Sequence, residues 1–208
     1  MSSITMLFED ALSPEILIAA YRGGYFPMPD PDSGEILWYN PDPRAVLPPH
    51  AFHISKSLRR RANSQSFQVT FDRDFESVVE GCASRNPTWI TSEIKSAYAR
   101  LFQMGVAHSV EVWSSDGVLA GGLYGVAQPG VFNAESMFSR QQDASKIALW
   151  ALTKRMIECG LSLLEVQFMT PHLQSLGAIE VSKNQYIQDL NLALRSSNLF
   201  IPAKGAYR

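Results

Sequence analysis

Three apolar-rich segments follow one another between residues 108 and 139 with almost nothing between them. HSVEVW (108–113) alternates polar and apolar residues, VLAGGLYGVA (118–127) and VFNAESMFS (131–139) come next, and the joints are SSDG and QPG. Joints this short close antiparallel hairpins, whereas parallel neighbours need a crossover of about a dozen residues or more. The stretch therefore reads as an antiparallel meander against which the rest must pack. Downstream, Asp143 is expected to cap a long helix running through Cys159 to Gly160, and LSLLEVQF (161–168) to form a buried strand. Pro171 to Leu176 reads as a short helix closed by Gly177, and AIEVS as a last strand. The order βββαβαβ places the chain in the α+β class.

Upstream, Ser13-Pro14 is a helix start, with Ile16, Leu17, Ala20 and Tyr21 at helical spacing until Gly23 and Gly24. Phe26 to Pro49 holds seven of the twelve prolines and must be turns and extended segments. Phe75, Val78, Val79 and Cys82 mark an amphipathic helix, and Ile94, Ala97, Tyr98, Leu101 and Phe102 a second between Thr91 and Gly105. At 46% hydrophobic and 18% charged, the 208 residues exclude bulk disorder. The net charge of -2 means that any polyanion must be held by a local patch. One region is suited to it: no acid lies between Asp42 and Asp72, while Arg44, Lys56, Arg59, Arg60 and Arg61 supply five positive charges. Two cysteines make no disulfide framework, and neither a signal peptide nor a membrane span of about 18 apolar residues is evident, so a cytoplasmic protein is expected.

Nucleophile elbow, Walker loop, dinucleotide fingerprint and HExxH are absent from the sequence. His50 and His53 have no acidic or cysteine neighbour to complete a metal shell, and no metal is assigned. Glu165 and Gln167, two apart on an apolar strand, share a face. They are either satisfied by nearby backbone or form a carboxylate that polarises an amide, which in turn orients a reacting amine. Glu135, inside the third meander strand, poses the same choice. Gly121, Gly122 and Gly125 weaken the central strand and indicate a bulge or the close approach of a ligand or another backbone. Leu149, Leu152 and Met156 form one helical stripe, either core or the wall of a pocket. HISKSLRRR (53–61) is either a solvated helix face or a nucleic-acid contact.

The blocks YRGGYFPMPD, LWYNPDPRAVLPP, FHISKSLRR, GCA with TWIT, AHSVEVW, GGLYGVA, ESMFSR with DASK, and HLQSLGA, in this order, closely resemble the leucyl/phenylalanyl-tRNA-protein transferases over roughly residues 12 to 190. The resemblance implies a small N-terminal α/β domain (1–62) bearing the basic tRNA-facing patch. It implies next a GNAT-like acyltransferase domain (63–208) with a central, mostly antiparallel sheet. The activity implied is transfer of Leu, Phe or Met from aminoacyl-tRNA to the N-terminal Arg or Lys of a protein, marking it for N-degron proteolysis. No cofactor and no coenzyme A is implied; FSRQQDASK, ahead of the long helix, has none of the glycines of a pyrophosphate loop.

By the same resemblance, Gln167 and Glu165 are the catalytic pair, joined by Glu135, which holds the aminoacyl end or the terminal adenosine. Trp89 is a stacking ring for that adenosine, and Met28 stands where some relatives carry a second aromatic wall. Leu123, Met137, Leu149, Leu152 and Met156 match an apolar pocket for the amino-acid side chain, and Lys56, Arg59 and Arg60 a surface for the acceptor stem. Most relatives have aspartate where this chain has Glu165, one methylene longer, which displaces the expected bond to Gln167. This departure and Met28 motivate the alternative, a catalytically impaired or redirected member that binds aminoacyl-tRNA or protein N-termini.

Overall fold

The computed structural model describes residues 3–4, 12–30, 32–64, 66–85 and 88–207. Two sheets organise them. Strands β1 (Ser3–Ile4), β2 (Phe26–Pro29) and β3 (Ile36–Tyr39) form a small antiparallel sheet in the order β1-β3-β2. Helix α1 (Pro14–Arg22) precedes β2 and starts at Ser13, whose hydroxyl accepts from the Ile16 N–H. The large sheet has seven strands: β4 (Arg44–Val46), β5 (Phe67–Phe71), β6 (Ala107–Ser114), β7 (Leu119–Gln128), β8 (Val131–Ser139), β9 (Leu163–Gln167) and β10 (Ile179–Val181). Their order is β10-β4-β9-β8-β7-β6-β5, and every neighbour pair is antiparallel except β8–β9. The expected meander is β6-β7-β8. The parallel step is made possible by α5 (Ala144–Cys159), a helical crossover of the kind such a pairing requires.

Helix α2 (Lys56–Ala62) follows β4 and a 3-10 turn at Pro49–Ala51. Helices α3 (Phe75–Ala83) and α4 (Ser92–Gln103) cover one face of the sheet. Leu149, Leu152 and Met156 of α5 pack on the other face, against Val110, Val112, Leu123 and Leu164. Helix α6 (Pro171–Ser175) precedes β10, and α7 (Lys183–Ala193) buries Tyr186, Leu190 and Ala193 over β4 and β9. β5 and α7 lie outside the elements read from the sequence, although α7 carries local marks of a helix: Ser182 at its start, which accepts from the Gln185 N–H, and Tyr186, Leu190 and Ala193 at i, i+4, i+7, which are buried. No helix among the described residues is long and apolar enough to cross a membrane.

Two expectations need correction. Asp143 occupies the position before α5 with φ 69° and gives no capping bond. Its carboxylate is taken instead by Lys146 at 3.0 Å and Arg61 at 3.3 Å. Arg44 is not part of a surface patch: it is 1% exposed, because β4 lies between β10 and β9 rather than at the sheet edge.

The glycines of β7 admit the sheet's own backbone. A Cβ at Gly125 would lie 2.2 Å from the Asn133 carbonyl oxygen on β8. There the register steps from Gly125↔Ala134 to Tyr124↔Ser136, leaving Glu135 as a bulge residue without a partner on β7.

Candidate active site

The parallel pairing of β8 with β9 runs from Val131↔Leu163 to Asn133↔Glu165 and ends there. Glu135 and Gln167 lie two residues further on, where the strands have parted. Each strand is bulged at this point. On β9 the register to β4 steps from Val46↔Glu165 to Ala45↔Gln167, which leaves Val166 as the extra residue. Bulges redirect side chains, and these two turn polar groups of neighbouring strands toward one another.

Glu165 is fully buried and meets Arg44, whose Nε donates to Oε1 at 2.7 Å. The guanidinium is held over the rings of Phe26 and Tyr186, 4.8 and 4.4 Å from their centroids. The same Oε1 accepts the main-chain N–H of Gln167 at 2.6 Å. Gln167 has φ 66°, a left-handed conformation that costs a non-glycine residue about 1–3 kcal/mol and persists only where surroundings impose it. The carboxylate oxygen, itself anchored by Arg44, is what imposes it here. Burial pushes the Glu165 carboxyl above its ordinary range, and Arg44 opposes that rise.

Glu135, 6% exposed, accepts at Oε2 from the Tyr98 hydroxyl at 2.9 Å and from Gln167 Nε2 at 3.2 Å. Tyr98 shares a 2.5 Å bond with the Tyr21 hydroxyl. Oε1 of Glu135 has no partner among the described residues. Burial lifts the Glu135 carboxyl to about 8; the Tyr21 hydroxyl most strongly resists the rise, the nearby Glu165 charge adds to it, and hydrogen bonds from Tyr98 and Gln167 oppose it further. Burial thus biases Glu135 toward its neutral form, while Glu165 has the Arg44 guanidinium beside it to hold its charge. Gln167 spends its amide N–H on Glu135 and remains partly exposed, so its carbonyl oxygen is available to a group arriving from solvent.

Comparison with known proteins identifies the lineage. The profile described as leucyl/phenylalanyl-tRNA protein transferase matches residues 46–191, and that family's N-terminal domain profile matches residues 10–42. The chain belongs to the leucyl/phenylalanyl-tRNA protein transferase family. Relatives carrying that name include one from Herpetosiphon aurantiacus, 46% identical over 190 residues, 91% of this chain and 98% of the relative. Others are from Rubrobacter xylanophilus (47%, covering 91% and 98%) and Salinibacter ruber (49%, covering 89% and 81%). Among solved structures, a GCN5-related N-acetyltransferase from Kribbella flavida aligns with TM-score 0.46 at 13% identity, covering 82% of this chain and 61% of that one. L-PGS from Bacillus licheniformis aligns at 0.45 and 14%, covering 76% and 52%.

Of the residues singled out by resemblance to the leucyl/phenylalanyl-tRNA protein transferase family, Glu135, Glu165 and Gln167 come together. The bond expected between the Glu165 and Gln167 side chains takes another form: Glu165 holds the Gln167 main chain, and Glu135 holds its amide. Trp89 and Met28 pack, half-buried, in the apolar cluster that contains Tyr21, Phe26 and Tyr98. Leu123 faces Met137 across β7 and β8 and is buried with Leu149, Leu152 and Met156 of α5; Met137 is the one left half-exposed. Lys56, Arg59 and Arg60 are exposed on α2. Sequence reasoning missed Arg44, Tyr21 and Tyr98 as members of the site. Tyr21 and Tyr98 look like ordinary core positions on their helices, and only Arg44, an arginine inside the PDPRAV block, offered a signal.

Proposed function

We propose that this chain transfers leucine, phenylalanine or methionine from aminoacyl-tRNA to an N-terminal arginine or lysine of acceptor proteins, marking them for N-degron proteolysis. The acceptor's α-amine attacks the ester carbonyl directly; a C–N bond forms, the C–O bond to the terminal ribose breaks, and the amine's proton ends on the released ribose oxygen. An amide cannot serve as a strong base, and little is asked of it. An α-amine titrates near 7.7–8.0, so a useful neutral fraction exists at pH 7, and the ester is already activated. What remains is positioning.

The observation that carries this reading is Gln167, fixed at both ends of the residue. Glu165 pins its main chain and Glu135 its amide N–H, so that its carbonyl oxygen accepts a hydrogen of the incoming amine. Glu165 and Arg44 are then positioning residues. Glu135 orients Gln167, and in its neutral form avoids repelling the developing oxyanion. Trp89 and Met28 flank the terminal adenosine, and Leu123, Met137, Leu149, Leu152 and Met156 line the amino-acid side chain. Lys56, Arg59 and Arg60 meet acceptor-stem phosphates. Residues 1–62 form the tRNA-facing part in this reading and 63–208 the transferring part, with Arg44 reaching across. Coenzyme A takes no part.

The test is transfer of labelled leucine from charged tRNA to peptides beginning with Arg, Lys, Asp or Glu. Wild type is expected to label the Arg and Lys peptides, and Gln167→Ala to lose about 100-fold or more of the rate, as for other groups positioned at a reacting centre. An unchanged rate for Gln167→Ala refutes the chemistry.

A further inference from the structure

Helix α3 ends at Ala83, and two residues later the Arg85 side chain reaches across to β8. Its Nη2 donates to Ser136 Oγ and to the Met137 carbonyl, both at 2.9 Å, and its Nε donates to the Cys82 carbonyl at 3.2 Å. Ser136 and Met137 directly follow Glu135, whose carboxyl holds the Gln167 amide. The guanidinium is therefore anchored within two residues, roughly 7 Å of chain, of the candidate active site.

These three bonds fix the guanidinium without neutralising it. All three acceptors are uncharged, and no carboxylate lies within ion-pair distance of Arg85 among the described residues. Arg44, by contrast, is spent on Glu165. A guanidinium has five N–H donors. The two on Nη1 have no partner among the described residues, and the side chain is exposed. Ordering a long exposed side chain costs rotamer entropy, and capping the end of α3 needs only the bond to Cys82. The two bonds to β8 do something further: they place a full positive charge beside the strand that carries Glu135 and Met137. An oriented guanidinium with donors to spare makes its strongest bonds to an anion, above all a phosphate.

We propose that Arg85 holds the backbone phosphate that joins the terminal adenosine of aminoacyl-tRNA to the nucleotide before it. The inference rests on the transferase reading above and adds a positioning residue for the donor. In that reading the ester lies at Gln167 and the adenine at Trp89, four residues after Arg85 on the same connection between α3 and α4. The first negative charge back along the donor from the ester is this phosphate, one nucleoside away, which matches the short span from Glu135 to Arg85. A phosphate held here orients the nucleotide whose ester must meet the amine. The stem phosphates lie several nucleotides farther on and fall to α2.

The experiment measures, by calorimetry, the Kd of two inert donor analogues: 3′-leucylamido-3′-deoxyadenosine, and the same nucleoside carrying a 5′-methylphosphate diester, whose single charge matches a tRNA linkage. Wild type is expected to bind the diester about tenfold more tightly, as one charge-assisted hydrogen bond supplies. Arg85→Gln brings the ratio of the two constants close to one, and Arg85→Glu inverts it. Arg85→Lys, which keeps the charge but not the planar fork, restores part of it. A role confined to holding β8 weakens both analogues alike and leaves the ratio at its wild-type value. A wild-type ratio near one, binding of neither analogue, or a ratio that survives Arg85→Gln overturns the assignment and, with leucine still transferred from charged tRNA, leaves the transferase reading standing. Absence of transfer to any peptide by wild type overturns that reading, and the inference with it.

Discussion

Replacing Arg44 by methionine isolates what holds the site together. The ion pair with Glu165 is 2.7 Å long, with the two side chains 1% and 0% exposed. Removing one partner of so buried a pair leaves an uncompensated charge and costs about 3–5 kcal/mol. For a chain of this size that is a fall in Tm of about 6–20 °C, against a total stability of about 5–15 kcal/mol. The loss depends on pH in a definite direction. Burial already raises the Glu165 carboxyl, and Arg44 supplies both the charge and the hydrogen bond that restrain it. Without Arg44 the folded value climbs further, so stability is greatest below the ordinary glutamate value near 4.5 and is lost as pH rises toward the folded value. The assay is urea unfolding of wild type, Arg44→Met and Arg44→Met/Glu165→Leu at pH 5 and pH 8. The single variant should be worst at pH 8. The double variant should recover most of the stability, because an apolar pair of similar volume is neutral or better. It should stay defective in transfer, since nothing then fixes the Gln167 main chain. A loss below about 1 kcal/mol for the single variant, the range of a surface pair, or a double variant no more stable than the single, refutes the assignment.

Two further outcomes are expected. The Glu135 carboxyl, at about 8 in the fold against an ordinary 4.5, favours the folded state below pH 4.5, and that contribution is lost as pH rises through about 8. Glu135→Gln should therefore flatten the decline of urea midpoints between pH 5 and pH 9, a difference of at most about 5 kcal/mol; parallel profiles would show the group to be ionised throughout. Replacing Lys56, Arg59 and Arg60 together by alanine should reduce the slope of log K against log salt for tRNA binding by about 2–3, near 0.9 for each phosphate that is no longer neutralised. An unchanged slope places the acceptor stem elsewhere.

Local spacing made much of this protein legible from its residues. The hairpin joints at SSDG and QPG forced the meander, and the 3.6-residue recurrence of apolar positions in α3 and α4 marked their buried faces. The two-residue spacing of Glu165 and Gln167 on an apolar strand marked polar groups in a place where they need a reason. Tertiary structure alone decided what each of them touches. Arg44 reads as one of five charges in a basic stretch, and becomes the buried partner of a carboxylate 121 residues away because β4 is inserted between β10 and β9. Glu135 obeys its strand's alternation only up to a bulge that depends on Gly125 of the neighbouring strand admitting the Asn133 carbonyl. The Glu165 carboxylate, anchored by Arg44, holds the Gln167 main chain rather than its side chain, with that residue in a left-handed conformation. Periodicity encodes which face a residue presents, a property of one segment. Register, bulges and desolvation belong to pairs of segments distant in sequence, and they decide which of these polar groups carry charge and which are held in place to act.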